Sequence, residues 1–287
     1  MNNDYVIFAD ASADVHYDDS IAEGLKFVEM PCESDGNIYV CTGTDSAEKI
    51  RQFYTDIRSG SLPKTTQITP FKYEEMFEPF LKEGKSVLYL SLSSGLSSTF
   101  ESAKLAAENL NAKHDNAKFY PIDSIGATAA MCIILERMQS NQKNGLTAEE
   151  NKADIEEFKH TLYTTCYVED LKHLHRGGRI SAAKAAIGSL LKIKPIIRIM
   201  EDGTIANCDN CRGTRSAVIH LAKKYEEMGN MSEVVYVSDA DNAEMADFLE
   251  EEIKRINPNA VIRRTLLSPI IGTHLGPESV LISFVRK

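Results

Sequence analysis

The chain has 287 residues, 43% hydrophobic and 26% charged, and its 32 Lys and Arg against 42 Asp and Glu give a formal net charge of −10. At roughly 100–200 residues per domain, two domains are expected. The 16 Gly and 9 Pro are too few for a collagenous or low-complexity chain, and so acidic a body has no general attraction for a nucleic-acid backbone.

The first predicted strand, residues 5–9, is apolar and leads into Asp10-Ala11-Ser12-Ala13-Asp14. Residues 38–40 form a short strand, and 46–59 an amphipathic helix with Ile50, Phe53, Tyr54 and Ile57 on one face. Thr69 followed by Pro70 suits the cap and first turn of a helix that runs to about Leu81. Residues 86–92 are continuously apolar, as in a parallel sheet covered on both faces. They run into Ser93-Ser94-Gly95-Leu96-Ser97-Ser98-Thr99 and a helix in which Ser98 and Glu101 have the spacing of a capping box. A strand over 118–122 and a helix over 125–138 complete a strand–helix alternation, which predicts an α/β layered domain.

Thr147 and Glu150 then mark a helix start, and that helix reaches about Tyr163. The second half mixes a strand over 164–168, an Ala/Leu helix over 182–191, and two strands, 194–200 and 204–208, around Glu201-Asp202-Gly203. Asp-Gly between apolar runs signals a hairpin. A helix (215–228), a strand (234–237), a helix (242–256) and strands at 260–266 and 280–285 follow. The expectation is an α/β fold in which a mainly parallel sheet flanked by helices occupies 1–160 and an α+β domain with antiparallel strands occupies 161–287. The start of the chain has no basic segment before its short apolar run, and no window reaches the roughly 18 apolar residues of a membrane span, so a cytoplasmic protein is expected. The six cysteines are then thiols. Cys208 and Cys211 form one C-x-x-C pair without a second knuckle, so no metal site is expected.

Three polar segments are candidates for binding. Ser93-Ser94-Gly95 lies between a buried strand and a helix N-terminus, where unpaired amides favour an anion; a phosphate, a carboxylate or a simple helix cap fits equally. Thr65 and Thr66 also precede a helix. In Ile271-Gly272-Thr273-His274-Leu275-Gly276-Pro277 the glycines permit close approach to a ligand, and His274 can donate or accept a hydrogen bond. A basic patch, His173-Leu174-His175-Arg176-Gly177-Gly178-Arg179, places two guanidinium groups on a Gly-Gly loop before a helix, and Arg212 and Arg215 join it from beyond the hairpin. There is no G-x-G-x-x-G, no G-x-x-x-x-G-K-[ST] and no G-x-S-x-G.

In this order the segments resemble the DegV family, the fatty-acid-binding subunits of bacterial fatty acid kinase. Asp10-Ala11-Ser12-Ala13-Asp14 is similar to the family's D-S-S-x-D and Thr65-Thr66-Gln67 to its T-S-Q. The stretch from Ser93 to Ala103 is similar to S-S-G-L-S-G-T-Y-Q-S-A, Arg176-Gly177-Gly178-Arg179-Ile180 to its arginine loop, and the His274 segment to G-T-H-x-G-P. Ala11 stands for a family Ser, Ser98 for Gly, Phe100 for Tyr and Leu275 for a residue that is often Thr.

The resemblance implies a two-domain carrier, not an enzyme, that needs no cofactor. A long-chain fatty acid would lie in a buried tunnel, its carboxylate held by Thr65, Thr66, Ser93, Ser94 and His274. Gly95, Gly272, Thr273 and Gly276 would shape the supporting loops. Arg176, Arg179 and Arg212 would dock an ATP-dependent kinase subunit that converts the bound acid to an acyl phosphate. Two alternatives are an esterase built on Ser94 and His274, and a fatty-acid sensor without a kinase.

Overall fold

In the computed structural model, residues 4–15, 20–181 and 192–287 are described. The helix expected over 182–191 lies outside them. Three sheets organise the described residues. β1 (Tyr5–Asp10), β2 (Leu25–Val28), β6 (Ser86–Ser91) and β7 (Phe119–Asp123) form a parallel sheet in the order β2-β1-β6-β7. β3 (Met30–Ser34), β4 (Asn37–Cys41) and β5 (Lys64–Thr65) form a small antiparallel sheet, order β4-β3-β5. All strands from β8 (Leu162–Tyr167) onward join a third sheet with β9 (Ile193–Ile199), β10 (Ile205–Arg212), β11 (Val235–Asp239), β12 (Ile262–Leu266) and β13 (Val280–Val285). Its order is β10-β9-β8-β13-β11-β12, and every pair is antiparallel except β11–β12. The two-domain α/β architecture is thus the one expected, with a parallel sheet first and a mainly antiparallel one second.

Local chemistry sets the first helices. Ser46 caps α1 (Ala47–Arg58) by accepting the Lys49 N–H, and Thr69 caps α2 (Pro70–Lys82) by accepting that of Lys72, with Pro70 in the first turn. The capping box of Thr147 and Glu150 forms at the start of α5 (Ala148–Phe158). The one expected at α3 (Thr99–Asn111) does not. Ser98 has a φ of −76° and a ψ of 6°, not the extended backbone that aims a capping hydroxyl, and Ser97 Oγ accepts the Thr99 N–H instead.

The helix expected from residue 125 starts later, as α4 (Ala129–Lys143). The backbone is left-handed at Ile125 (φ 45°) and Thr128 (φ 50°), which no helix accommodates, and the Ile125 N–H is held by Asp123 Oδ1 at 2.9 Å. From Ala129 to Leu135 α4 is buried on every side, because it packs between the parallel sheet and the six-stranded sheet. It is the shared centre of the two halves.

Candidate functional site

In open parallel sheets a ligand sits beyond the carboxyl ends of the strands, where the connections diverge to either side. Here that point lies between β1 and β6. A cavity of about 240 Å³ lies beside it, between the parallel sheet and the six-stranded one. It exceeds the ~150 Å³ of an engineered apolar cavity that takes up benzene. Leu92, Leu96, Ile197, Ile199, Ile271 and Leu281 supply apolar wall. The exposed Thr66, Gln67 and Ser98 mark its opening, and the buried Cys166 and Leu281 its floor.

His274 belongs to a short helix, α9 (Pro269–Leu275), not to the irregular Gly/Pro loop the sequence suggested. The start of α9 is clamped where the Ser268 N–H donates to Asp14 Oδ1 at 3.0 Å, and Thr273 Oγ1 donates to the Pro269 carbonyl at 2.7 Å. Gly272 lies against Tyr54, whose hydroxyl would be 2.5 Å from a Cβ there. These contacts aim the imidazole at β5, and His274 Nε2 lies 3.0 Å from Thr65 Oγ1. The ring is pushed down to a pKa of about 4, first by burial and then by the charges of Arg179, Arg176 and His173, so it is neutral near pH 7.

Among the described residues Nδ1 is buried without a partner. A proton there would be an unsatisfied buried donor, so the proton belongs on Nε2. Nε2–H then donates to Thr65 Oγ1, and the Thr65 hydroxyl hydrogen is left for a ligand.

Arg179 follows the short α6 (Lys172–Arg176) and lines the cavity; its Nε–H donates to the Leu96 carbonyl at 2.9 Å and its Nη1 to that of Gly177. Arg176 is exposed, and its Nη2 donates to His173 Nδ1 at 3.2 Å. Arg212 is elsewhere, in a surface depression with Glu169, Arg215 and Glu278.

The structure therefore brings Thr65, Thr66, Arg179 and His274 together and does not bring Ser93, Ser94 or Arg212 to the cavity lining. The Ser93 hydroxyl donates to the Gly203 carbonyl at 2.9 Å and accepts the Gly95 N–H at 3.1 Å. A Cβ on Gly95 would lie 2.5 Å from the Gly203 backbone, so this loop is the seam on which the β9–β10 hairpin closes. Ser94 is exposed and its N–H donates to Asp123 Oδ1 at 3.1 Å. No Ser94–His274 bond assembles an esterase pair, since the ring's Nε2 is engaged by Thr65.

Ser97, Ser98, Thr128 and Arg198 also line the cavity and are not among the binding residues expected from the sequence. The only signal for Ser98 was its departure from the family's glycine. Ser93→Ala is expected to lower stability by about 1–2 kcal/mol, the usual cost of a buried hydrogen bond, while changing ligand affinity less than about twofold. Thermal unfolding and a binding titration on one preparation check both parts.

Among the described residues no His, Cys, Asp and Glu group is placed to hold a metal ion, and no helix is long and apolar enough to cross a membrane. Cys208 is exposed on β10, and Cys211 is partly so.

A two-domain α/β protein with a largely apolar cavity at the domain junction, lined also by hydroxyls, a neutral imidazole and the guanidinium groups of Arg179 and Arg198, can hold a small molecule with an apolar body and a polar head. The chain belongs to the DegV family: the family's model, described as an uncharacterised protein family, matches residues 4–287. It is 30% identical over 283 residues to DegV domain-containing protein CPE0026 of Clostridium perfringens, covering 98% of this chain and 97% of that one. It is similar to the crystal structure of DegV, a fatty acid binding protein from Bacillus subtilis, with a TM-score of 0.83, 27% identity and 99% of each chain covered. The fold also matches that of the Streptococcus pneumoniae Fatty Acid Kinase (Fak) B3 protein loaded with linoleic acid, at a TM-score of 0.86 and 20% identity over 99% of this chain and 100% of that one.

Proposed function

We propose that the protein is a cytoplasmic carrier that holds one long-chain fatty acid, with its tail in the cavity and its carboxylate at Thr65, Thr66 and His274, and presents that carboxylate to an ATP-dependent kinase subunit. The observation that carries the reading is the neutral, partly buried His274 bonded to Thr65 at the opening of a largely apolar cavity. Each buried methylene contributes roughly 0.8 kcal/mol, so about ten give on the order of 8 kcal/mol before the costs of association. The tail therefore supplies affinity, and the head group sets orientation.

The Thr65 hydroxyl donates to the carboxylate, and Arg179 supplies the positive field that makes its burial tolerable. Because neither the hydroxyl nor the neutral ring takes up its charge, the carboxylate keeps its nucleophilicity. In the kinase step one of its oxygens attacks the terminal phosphorus of ATP and ADP leaves, giving the acyl phosphate; nucleotide and magnesium come with the partner. The exposed Arg176 and the neighbouring Arg179 offer an acidic partner surface two cations beside the opening.

Native mass spectrometry of the purified protein is expected to show one copurified fatty acid, and delipidated protein is expected to take up linoleic acid. Protein that carries none and takes up none refutes the carrier. Arg176→Glu is expected to abolish kinase-dependent phosphorylation with linoleic acid binding intact. Phosphorylation unchanged by that charge reversal removes the docking role of Arg176; wild-type protein that binds linoleic acid and is never phosphorylated leaves the fatty-acid sensor.

A further inference from the structure

We propose that Gly177 is a positioning residue for the head-group site: having no side chain, it lets the loop between Arg176 and Arg179 lie directly on the ring of His274 and hold it against Thr65. The inference rests on the carrier reading for its consequence and on geometry for its basis. Gly177 has a φ of −73° and a ψ of −9°, an ordinary helical conformation open to any residue, so the backbone does not ask for glycine. The space does. A Cβ there would lie 2.2 Å from His274 Nδ1 and 2.9 Å from Cε1. Gly178 has the opposite reason: its φ of +74° favours glycine, while nothing lies within 4 Å of where its Cβ would be.

The ring is therefore held from two sides, with Gly177 against Nδ1 and Thr65 on Nε2. A side chain at 177 must displace the imidazole from its position against Thr65 or lift the loop. The same backbone is tied at other points. The Gly177 N–H donates to the His173 carbonyl at 2.9 Å, and the Gly177 carbonyl accepts from Arg179. Arg179 in turn reaches the Leu96 carbonyl on the cavity wall. Loop, guanidinium and imidazole form one contiguous unit, so a partner that moves the arginine loop also moves the group that orients the carboxylate.

In Gly177→Ala the dissociation constant for linoleic acid is expected to rise about tenfold, as for one lost buried hydrogen bond. The His274 ring resonances, followed by NMR, are expected to titrate well above about 4 and closer to the ordinary 6.5, because a displaced ring is less buried and lies farther from Arg179, Arg176 and His173. In a His274→Ala background the same substitution is expected to change affinity less than about twofold, since the methyl group occupies space the ring has vacated. Gly178→Ala is the comparison: it strains the backbone and leaves the His274 titration in place.

The proposal is overturned if Gly177→Ala moves neither affinity nor titration, or if it weakens binding equally with and without the imidazole. Should Gly177→Ala fail to fold, a folded Gly177→Ala/His274→Ala protein confirms that the ring contact is at fault, and an unfolded one rejects it. If the wild-type protein takes up no linoleic acid the carrier reading fails, and the His274 titration alone then decides the role of Gly177.

Discussion

Replacing His274 by alanine is expected to weaken linoleic acid binding by about 10- to 100-fold, and Thr65→Val by about tenfold, both measured by calorimetric titration of delipidated protein. The two side chains form one hydrogen-bonded pair, with Nε2 3.0 Å from Thr65 Oγ1. Removing the imidazole leaves the Thr65 hydroxyl without its donor; removing the hydroxyl leaves the ring proton without an acceptor and the carboxylate without its contact. The double variant is therefore expected to be much better than the sum of the two losses. The pH profile gives a further check. Burial and the neighbouring cations hold the ring at a pKa of about 4, so its charge appears only on acidification towards that value. Affinity is expected to be flat in the imidazole's ordinary range near 6.5. A step in that range that disappears in His274→Ala would mean an exposed, ordinary histidine and a head group bound elsewhere.

Much of the fold was legible because its elements carry local signals. Ser46, Thr69 and Thr147 cap as their sequence positions predict, and the continuous apolar run of β6 correctly announced a strand covered on both faces. β2 and β3 were missed for physical reasons. β2 buries only Val28 fully, so it shows no alternation, and β3 contains Pro31, which argues against a central strand. The structure tolerates Pro31 because only β4 pairs with it; β5 reaches no further than Cys32 and Glu33. The site was legible in outline and not in detail. Ser93, Ser94, Ser97 and Ser98 are chemically alike, and which of them lines the cavity is decided by the hairpin that takes the Ser93 hydroxyl and by the Asp123 carboxylate that holds the Ser94 N–H, which leave Ser97 and Ser98 at the lining. Neither contact has a signature in the loop itself. Asp14 was noted only as part of a motif, yet through Ser268 it fixes the helix that carries His274.

Asp10→Ala is expected to cost about 2–4 kcal/mol of stability, measured by urea unfolding. The Asp10 carboxyl is fully buried and accepts from the Tyr89 hydroxyl, from the Leu92 N–H at 2.7 Å and from Ser91 Oγ at 3.4 Å. These donors are not equally dependent on it. The Ser91 hydroxyl also reaches the Leu92 carbonyl at 3.2 Å, and the Tyr89 hydroxyl lies 2.6 Å from that of Tyr73. Among the described residues the Leu92 N–H has no such substitute, so the loss centres on the amide that starts the cavity-lining loop. Burial pushes the Asp10 carboxyl up from its ordinary 3.8 to about 6, and Asp14 to about 7. A raised acid is easiest to bury when protonated, so its contribution is fully present below 3.8 and is lost as the pH rises through about 6. His274 has the opposite sign: its folded value of about 4 lies below the ordinary 6.5, so its contribution is present above 6.5 and is lost as the pH falls towards 4. The wild-type profile between these limits is a sum of opposed terms. Asp10→Asn removes one of the two falling acid terms and leaves the rising histidine term, so its stability is expected to fall less steeply than that of the wild type as the pH rises from 4 to 6. Parallel profiles for the two proteins would show that Asp10 is ionised in the folded state as readily as in the unfolded one.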